Sequence, residues 1–411
     1  MTGVNAILDD VAARWPVYVS MPFIAAVIGY VTKLVAIRMM FHPIYFVGIE
    51  PFLGWQGVVP RNSERMIRIS AELLTTRLVD PQEIFARLDP DRVAREIEAP
   101  LLLAVDEVAR DVLARQHPAL WETLPTLAQD LIVKQLQAGS PAMVRRIMAE
   151  IRESIGEVLD VEQVAVSALE RDKELLVKLI RDISRPEMAF IARCGIYFGL
   201  ILGCVQTVVW ALTHEPLVLP VFGASIGLLT DWLAIKLVFF PRERKKILGI
   251  LPFQGIFQRR RDEVAKRYGE LVAREVMTVP NLVDGILHGP RSERLILMVQ
   301  RAVRDTIDEQ AEIAGPLVTV AIGQRRFEEL KDAAAARAVT YLPATALHAG
   351  DYATGALDVA DTIASRMRRL SRVEYERLLR PAFRQDEWKL IAVGAVIGAL
   401  VGELQAALLL G

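Results

Sequence analysis

The sequence predicts an all-α, multi-pass membrane protein built from two tandem repeats, each with two transmembrane helices flanking an amphipathic helical domain. Three observations carry this expectation. A sixteen-residue motif occurs twice, as Ile28 to Pro43 (IGYVTKLVAIRMMFHP) and Ile226 to Pro241 (IGLLTDWLAIKLVFFP), with seven identities at an offset of 198, which marks an internal duplication. Four apolar stretches suited to crossing a hydrocarbon core of roughly 30 Å interrupt an otherwise charged chain. Between them, apolar residues follow the helical 3.6-residue period, with no sustained alternation that would argue a sheet.

Repeat one is expected over 1–213 and repeat two over 214–411. At the motif's offset, Gln56-Gly57 falls on Gln254-Gly255, Arg61 on Arg259 and Glu72-Leu73 on Glu270-Leu271. Near the ends of the halves, Gly195, Gly199, Gly203 and Gln206 match Gly394, Gly398, Gly402 and Gln405 at an offset of 199.

With 53% hydrophobic and 24% charged residues and a net charge of −1, the chain is neither disordered nor uniformly buried in lipid. The balanced charge gives no electrostatic case for nucleic acid. Two cysteines, Cys194 and Cys204, share one apolar segment and read as small buried thiols. Asp9 and Asp10 precede the first apolar run, so a cleaved signal peptide is not expected.

Residues 17–41 form the first predicted membrane helix, about 37 Å long at 1.5 Å per residue. A buried amphipathic helix is the alternative, since Lys33 and Arg38 interrupt its end. After Pro43, Gly, Pro and aromatics break the helix, and this stretch and its second-half equivalent read as interfacial or shallow re-entrant loops. Helical domains follow over about 62–187 and 258–387. Asp80-Pro81, with Glu83 as a capping-box acid, Asp89-Pro90 and Ser140-Pro141 read as helix starts. Val144, Ile147, Met148, Ile151, Ile155 and Val158 mark one apolar helix face. The remaining membrane helices are expected at 188–212, 217–240 and 389–410.

Two spans per repeat give both copies the same orientation, with both helical domains on one side and both termini on the other. Arg and Lys near the spans cluster on the domain side, as at Arg242 to Lys246 and Arg259 to Arg261. The positive-inside rule then makes that side cytoplasmic and the location the bacterial inner membrane.

Lys33 of the first motif aligns with Asp231 of the second. A charge within a membrane segment is costly and tends to face a partner, so these two are expected to form one ion pair. The alternative is that Lys33 snorkels and Asp231 caps or hydrates locally. Arg38 and Lys236, with Arg61 and Arg259 beyond them, are interfacial candidates for lipid phosphates or an anionic headgroup. Gln56, Gly57, Gln254 and Gly255 mark the motif loops. The glycines at 195, 199, 203, 394, 398 and 402, with Gly223 and Gly227, let helix backbones approach. Glu403 has no acidic counterpart in the first copy. The five histidines have no metal-ligand spacing, and no Walker loop, nucleophile elbow or HExxH is present, so neither a cofactor, a metal nor catalysis is expected.

IGYVTKLVAIRMMFHP followed by GWQGVVPR, and IGLLTDWLAIKLVFFP followed by LPFQGIFQRR, resemble the bacterial membrane-protein family catalogued as domain of unknown function 445. The resemblance covers essentially the full chain and implies a multi-pass bacterial membrane protein without an assigned activity. Lys33 and Asp231 stand where that family tends to have Asn. Arg61 and Arg259 match its basic residue after the Gly-containing loop. The expected function is a non-enzymatic envelope scaffold or lipid- or protein-binding module, with membrane lipids as partners and a protein partner or homo-oligomer possible. The alternative is a transporter or channel for a small solute or lipid, built around the Lys33–Asp231 pair.

Overall fold

The computed structural model describes residues 11–49, 53–239, 245–247, 251–253, 256–314, 323–379 and 387–410. Helices dominate. Four long apolar ones are labelled here with the short strands among them: α1 (Trp15–Phe41), β1 (Val47–Ile49), β2 (Leu53–Trp55), α2 (Lys173–Thr213), α3 (Val218–Phe239), β3 (Lys245–Ile247), β4 (Leu251–Phe253) and α4 (Glu387–Leu410). The chain forms two compact units, each drawing on both halves of the sequence. One comprises Met1–Ser70, Glu170–Tyr268 and Met367–Gly411; the other comprises Ala71–Leu169 and Gly269–Arg366.

In the first unit α1 packs along α2 and α3 along α4, and the two pairs meet through α2 with α3, α1 with α4 and α1 with α3. α1 and α2 are long and apolar enough to cross a membrane, while α3 and α4 carry shorter apolar runs, Val218–Ala234 and Ile391–Ala407. The span expected to begin at 188 has no separate start. The helix runs unbroken from Lys173 through Pro186, because an Asp172 cap already satisfies its first amides, accepting from the Glu174 and Leu175 N–H groups, and apolar residues line it on both sides of the proline.

The stretches read as loops after each motif contain antiparallel hairpins, β1 with β2 and β3 with β4. Strands of three residues are too short to display alternation. A four-residue helix follows each hairpin, Val58–Arg61 and Ile256–Arg259, then an eleven-residue helix, Ser63–Leu73 and Arg261–Leu271. Both eleven-residue helices run into a π-helical turn, Leu74–Leu78 and Val272–Val276.

The second unit is a helical assembly around an apolar interior. Asp80 and Asp89 cap their helices as expected, accepting from the Gln82 and Asp91 N–H groups. Glu83 makes no capping box; its carboxylate takes Arg87 and Arg366 instead. Ser140-Pro141 starts no helix either. Helix runs through both residues within Thr126–Val158, a stretch kinked only later, at Ser154, and the Ser140 hydroxyl donates back to the Gln137 carbonyl at 2.7 Å. Removing either observed cap, Asp80→Ala or Asp89→Ala, is expected to cost about 1 kcal/mol, read as a shift of the unfolding midpoint in denaturant with unchanged slope.

An apolar cavity of about 290 Å³ lies among the helices at 81–158 and 279–357.

Candidate functional site

The motif helices α1 and α3 set the site. In each, a threonine turns its hydroxyl onto its own helix: Thr32 donates to the Ile28 carbonyl at 2.9 Å and Thr230 to the Ile226 carbonyl at 2.6 Å. The next residue carries the charge. Lys33 Nζ lies 2.6 Å from Asp231 Oδ1 and donates to Thr230 Oγ1 at 2.6 Å. Lys33 is 0% exposed and Asp231 3%, so neither charge reaches solvent or the rim of the helix assembly.

Room for the pair is made by glycines. The Lys33 stem crosses Gly195 of α2, where an added Cβ would come within 3.0 Å of Lys33 Cγ. Asp231 lies on Gly394 of α4, where an added Cβ would overlap Oδ2. Gly195 and Gly394 are the glycines that match at an offset of 199 in the sequence. Oδ2 has no hydrogen-bond partner among the described residues. An ion pair removed from water gains from its low-dielectric surroundings but is costly when left half-satisfied. The arrangement therefore fixes how α1 and α3 register and penalises any displacement of one against the other.

The same glycines build each helix pair. A Cβ on Gly29 would overlap the Gly195 carbonyl, and one on Gly227 the Gly394 carbonyl. Gly199 faces Ala25 and Ala26, Gly203 faces Pro22, Gly223 and Gly398 face each other, and Gly402 meets Leu219 and Pro220. Gly29, inside the first motif, is thus a packing residue as well, and its match to Gly227 is the sequence signal for that role.

Other expected site residues divide by exposure. Arg38, Arg61, Lys236 and Arg259 are exposed, and Lys236 Nζ lies 4.3 Å from the Trp232 ring centroid. Gln56 and Gly57 fasten the hairpin to the end of α1. Gln56 Nε2 donates to the Ile44 carbonyl at 2.8 Å, and the Gly57 N–H donates to the Pro43 carbonyl at 2.9 Å. A Cβ at Gly57 would crowd the His42 nitrogen at 2.9 Å. Gln254 and Gly255 lie outside the described residues. Glu403 is exposed, and nothing in the structure explains it.

The basic run at 259–261 is not a uniform collar. Arg260 Nη1 lies 2.8 Å from Oε1 of Glu187, which is 1% exposed, and Arg260 Nη2 lies 2.7 Å from Glu263 Oε1. That guanidinium holds the Glu263 carboxyl below the usual carboxylate range. Arg261 donates to the Met367 and Leu370 carbonyls and lies over the Tyr375 ring, which stacks on Phe257 at 4.6 Å. Only Arg259 of the three is exposed. Charge runs in sequence do not reveal this division, because it depends on which carbonyls and carboxylates fold back within reach.

Comparison with known proteins locates the chain broadly. It is 31% identical over 153 residues to a UPF0754 membrane protein of Nostoc sp., covering 34% of this chain and 35% of that protein. To a UPF0754 membrane protein of Nostoc punctiforme it is 32% identical, covering 33% and 37%, and to one of Bacillus pumilus 33% identical, covering 23% and 25%. Each match thus spans about a third or less of the relative's length. No protein-family model matches the chain. These relatives carry the name of an uncharacterised bacterial membrane family; the label domain of unknown function 445 is not among their names.

Proposed function

We propose that the chain is a bacterial inner-membrane protein of two tandem, pseudo-equivalent halves, multi-pass, with α1 to α4 in the bilayer. Its helical segments face the cytoplasm and serve as a non-enzymatic envelope scaffold that binds lipid or a protein partner. The observation that carries this reading is an inside-out distribution of polarity: the Lys33–Asp231 pair is enclosed, while large apolar side chains face outward. Phe23 on α1 is 62% exposed, Ile201 on α2 59%, Val221 on α3 59% and Leu400 on α4 65%. Such faces are unfavourable in water and suited to acyl chains. Duplication is supported by elements that return at the motif's offset: both hairpins, both four-residue helices and both π-helical turns. The membrane names of the relatives point the same way.

Topology is the test. Single cysteines at Glu122→Cys and Glu215→Cys, in a background of Cys194→Ala and Cys204→Ser, are to be labelled with a membrane-impermeant maleimide. In right-side-out vesicles residue 215 should react and residue 122 should not, with the reverse in inverted vesicles. Labelling of both from one face would sink the two-span-per-half topology. Solute flux through liposomes that is lost on neutralising Lys33 would replace the scaffold with a transporter.

A further inference from the structure

The second unit's cavity has no role in the membrane core. Its walls come from both halves of the sequence, for example Val105, Met143 and Ile147 from the first and Val299, Ile307 and Ala338 from the second. Hydroxyl-bearing residues lining it are Ser140, Thr306, Thr345 and Tyr341. Three of these have their hydroxyl donated to their own helix: Ser140 to the Gln137 carbonyl, Thr306 to that of Ala302 and Thr345 to that of Tyr341. They therefore turn carbon to the space, and the interior offers a ligand almost no hydrogen bond.

Tyr341 is the exception. It is half-buried, and hydrogen bonding to the Glu107 carboxylate is the first cause of its raised pKa. Arg337 lies over its ring at 5.7 Å and pairs with Asp111 at 3.3 Å. One edge of the apolar space thus adjoins a cluster of charge. An apolar interior with one polar edge suits an amphiphile whose tail enters and whose head stays at that edge. The size is informative too. An apolar cavity of about 150 Å³ accepts the six carbons of benzene, so 290 Å³ scales to a tail of about a dozen carbons.

We propose that this cavity is a binding site for a single linear acyl chain of about a dozen carbons, its polar head left outside at the Tyr341 edge. The inference deepens the lipid-binding reading above by naming the ligand class and the site. A free fatty acid and one chain of a phospholipid share the chemistry. An acyl chain fits better than a protein segment, whose backbone amides would find no partners inside.

The full chain, purified in digitonin to exclude alkyl-chain detergents, is to be irradiated with a diazirine-bearing dodecanoate and the adducts mapped by peptide mass spectrometry. Adducts are expected on lining residues such as Met143 and Met148, and unlabelled dodecanoate should suppress them. Filling the space with Val105→Phe or Ala338→Phe should weaken labelling by about tenfold or more. Ala338→Leu serves if the larger side chains prevent folding, and its thermal midpoint should not fall. Extraction of the purified protein distinguishes the sources, as retained fatty acid or as retained phospholipid. Adducts confined to α1–α4, or undiminished in the filled variants, would overturn the site. Carbonate extraction of membranes, scored in parallel, reports on bilayer insertion alone, so failure of the cavity and failure of the membrane reading remain distinguishable.

Discussion

Removing one member of the buried pair, as Asp231→Ala or Lys33→Ala, is expected to destabilise the protein by about 3–5 kcal/mol, because the remaining charge stays enclosed without its partner. The expectation rests on burial rather than on the strength of the pair. With Lys33 at 0% and Asp231 at 3% exposure, neither group can swing into water when the other is lost. The double replacement Lys33→Met with Asp231→Leu should recover most of that loss, since two apolar side chains of similar volume need no compensation there. The charge swap Lys33→Asp with Asp231→Lys should do better than either single reversal. Thermal unfolding of Lys33→Met, Asp231→Leu and their double variant beside the unsubstituted protein in one detergent closes the cycle and gives the coupling directly. If the losses from the two single changes simply add in the double variant, the residues act independently and the register argument fails.

A methyl group at the glycine contacts should be nearly as damaging. Gly227→Ala would drive a Cβ into the Gly394 carbonyl, and Gly394→Ala would drive one into Asp231 Oδ2. A backbone carbonyl cannot rotate away as a side chain can, so relief requires the helices to separate along their length. We expect about 3 kcal/mol or more from Gly227→Ala, at the upper end of overpacking costs, with reduced yield of membrane-inserted protein. Gly355→Ala is the contrast. That glycine has nothing within 4 Å of an added Cβ and lies inside the helix Gly350–Leu357, so alanine should stabilise by about 0.5–1 kcal/mol. Equal effects at the two positions would mean that helix propensity, and not close approach, governs both.

These contrasts mark where sequence reading was sufficient. The helical character, the positions of three of the four apolar helices to within a few residues and the caps at Asp80 and Asp89 follow from periodicity and local chemistry, which act over one or two turns, whereas the second apolar helix begins at Lys173 and not near 188. Reading fails where a local signal competes with a longer one. Ser140-Pro141 has the form of a helix start, yet the apolar face runs through it, and Pro186 interrupts nothing for the same reason. The hairpins escaped because three-residue strands carry too few side chains to set a pattern.

By itself the sequence determined that one sixteen-residue motif occurs twice and that a lysine in the first occurrence stands at the position of an aspartate in the second. It could not decide what encloses them, because enclosure depends on residues some 160 positions away. Tertiary structure decided that Gly195 and Gly394 supply that space, that Arg260 and Arg261 are committed internally while Arg259 is exposed, and that the second unit contains an apolar cavity. Each of these is a matter of shape and volume between elements. A pattern along one element records which side is apolar; only the packing of several elements fixes how much room is left between them.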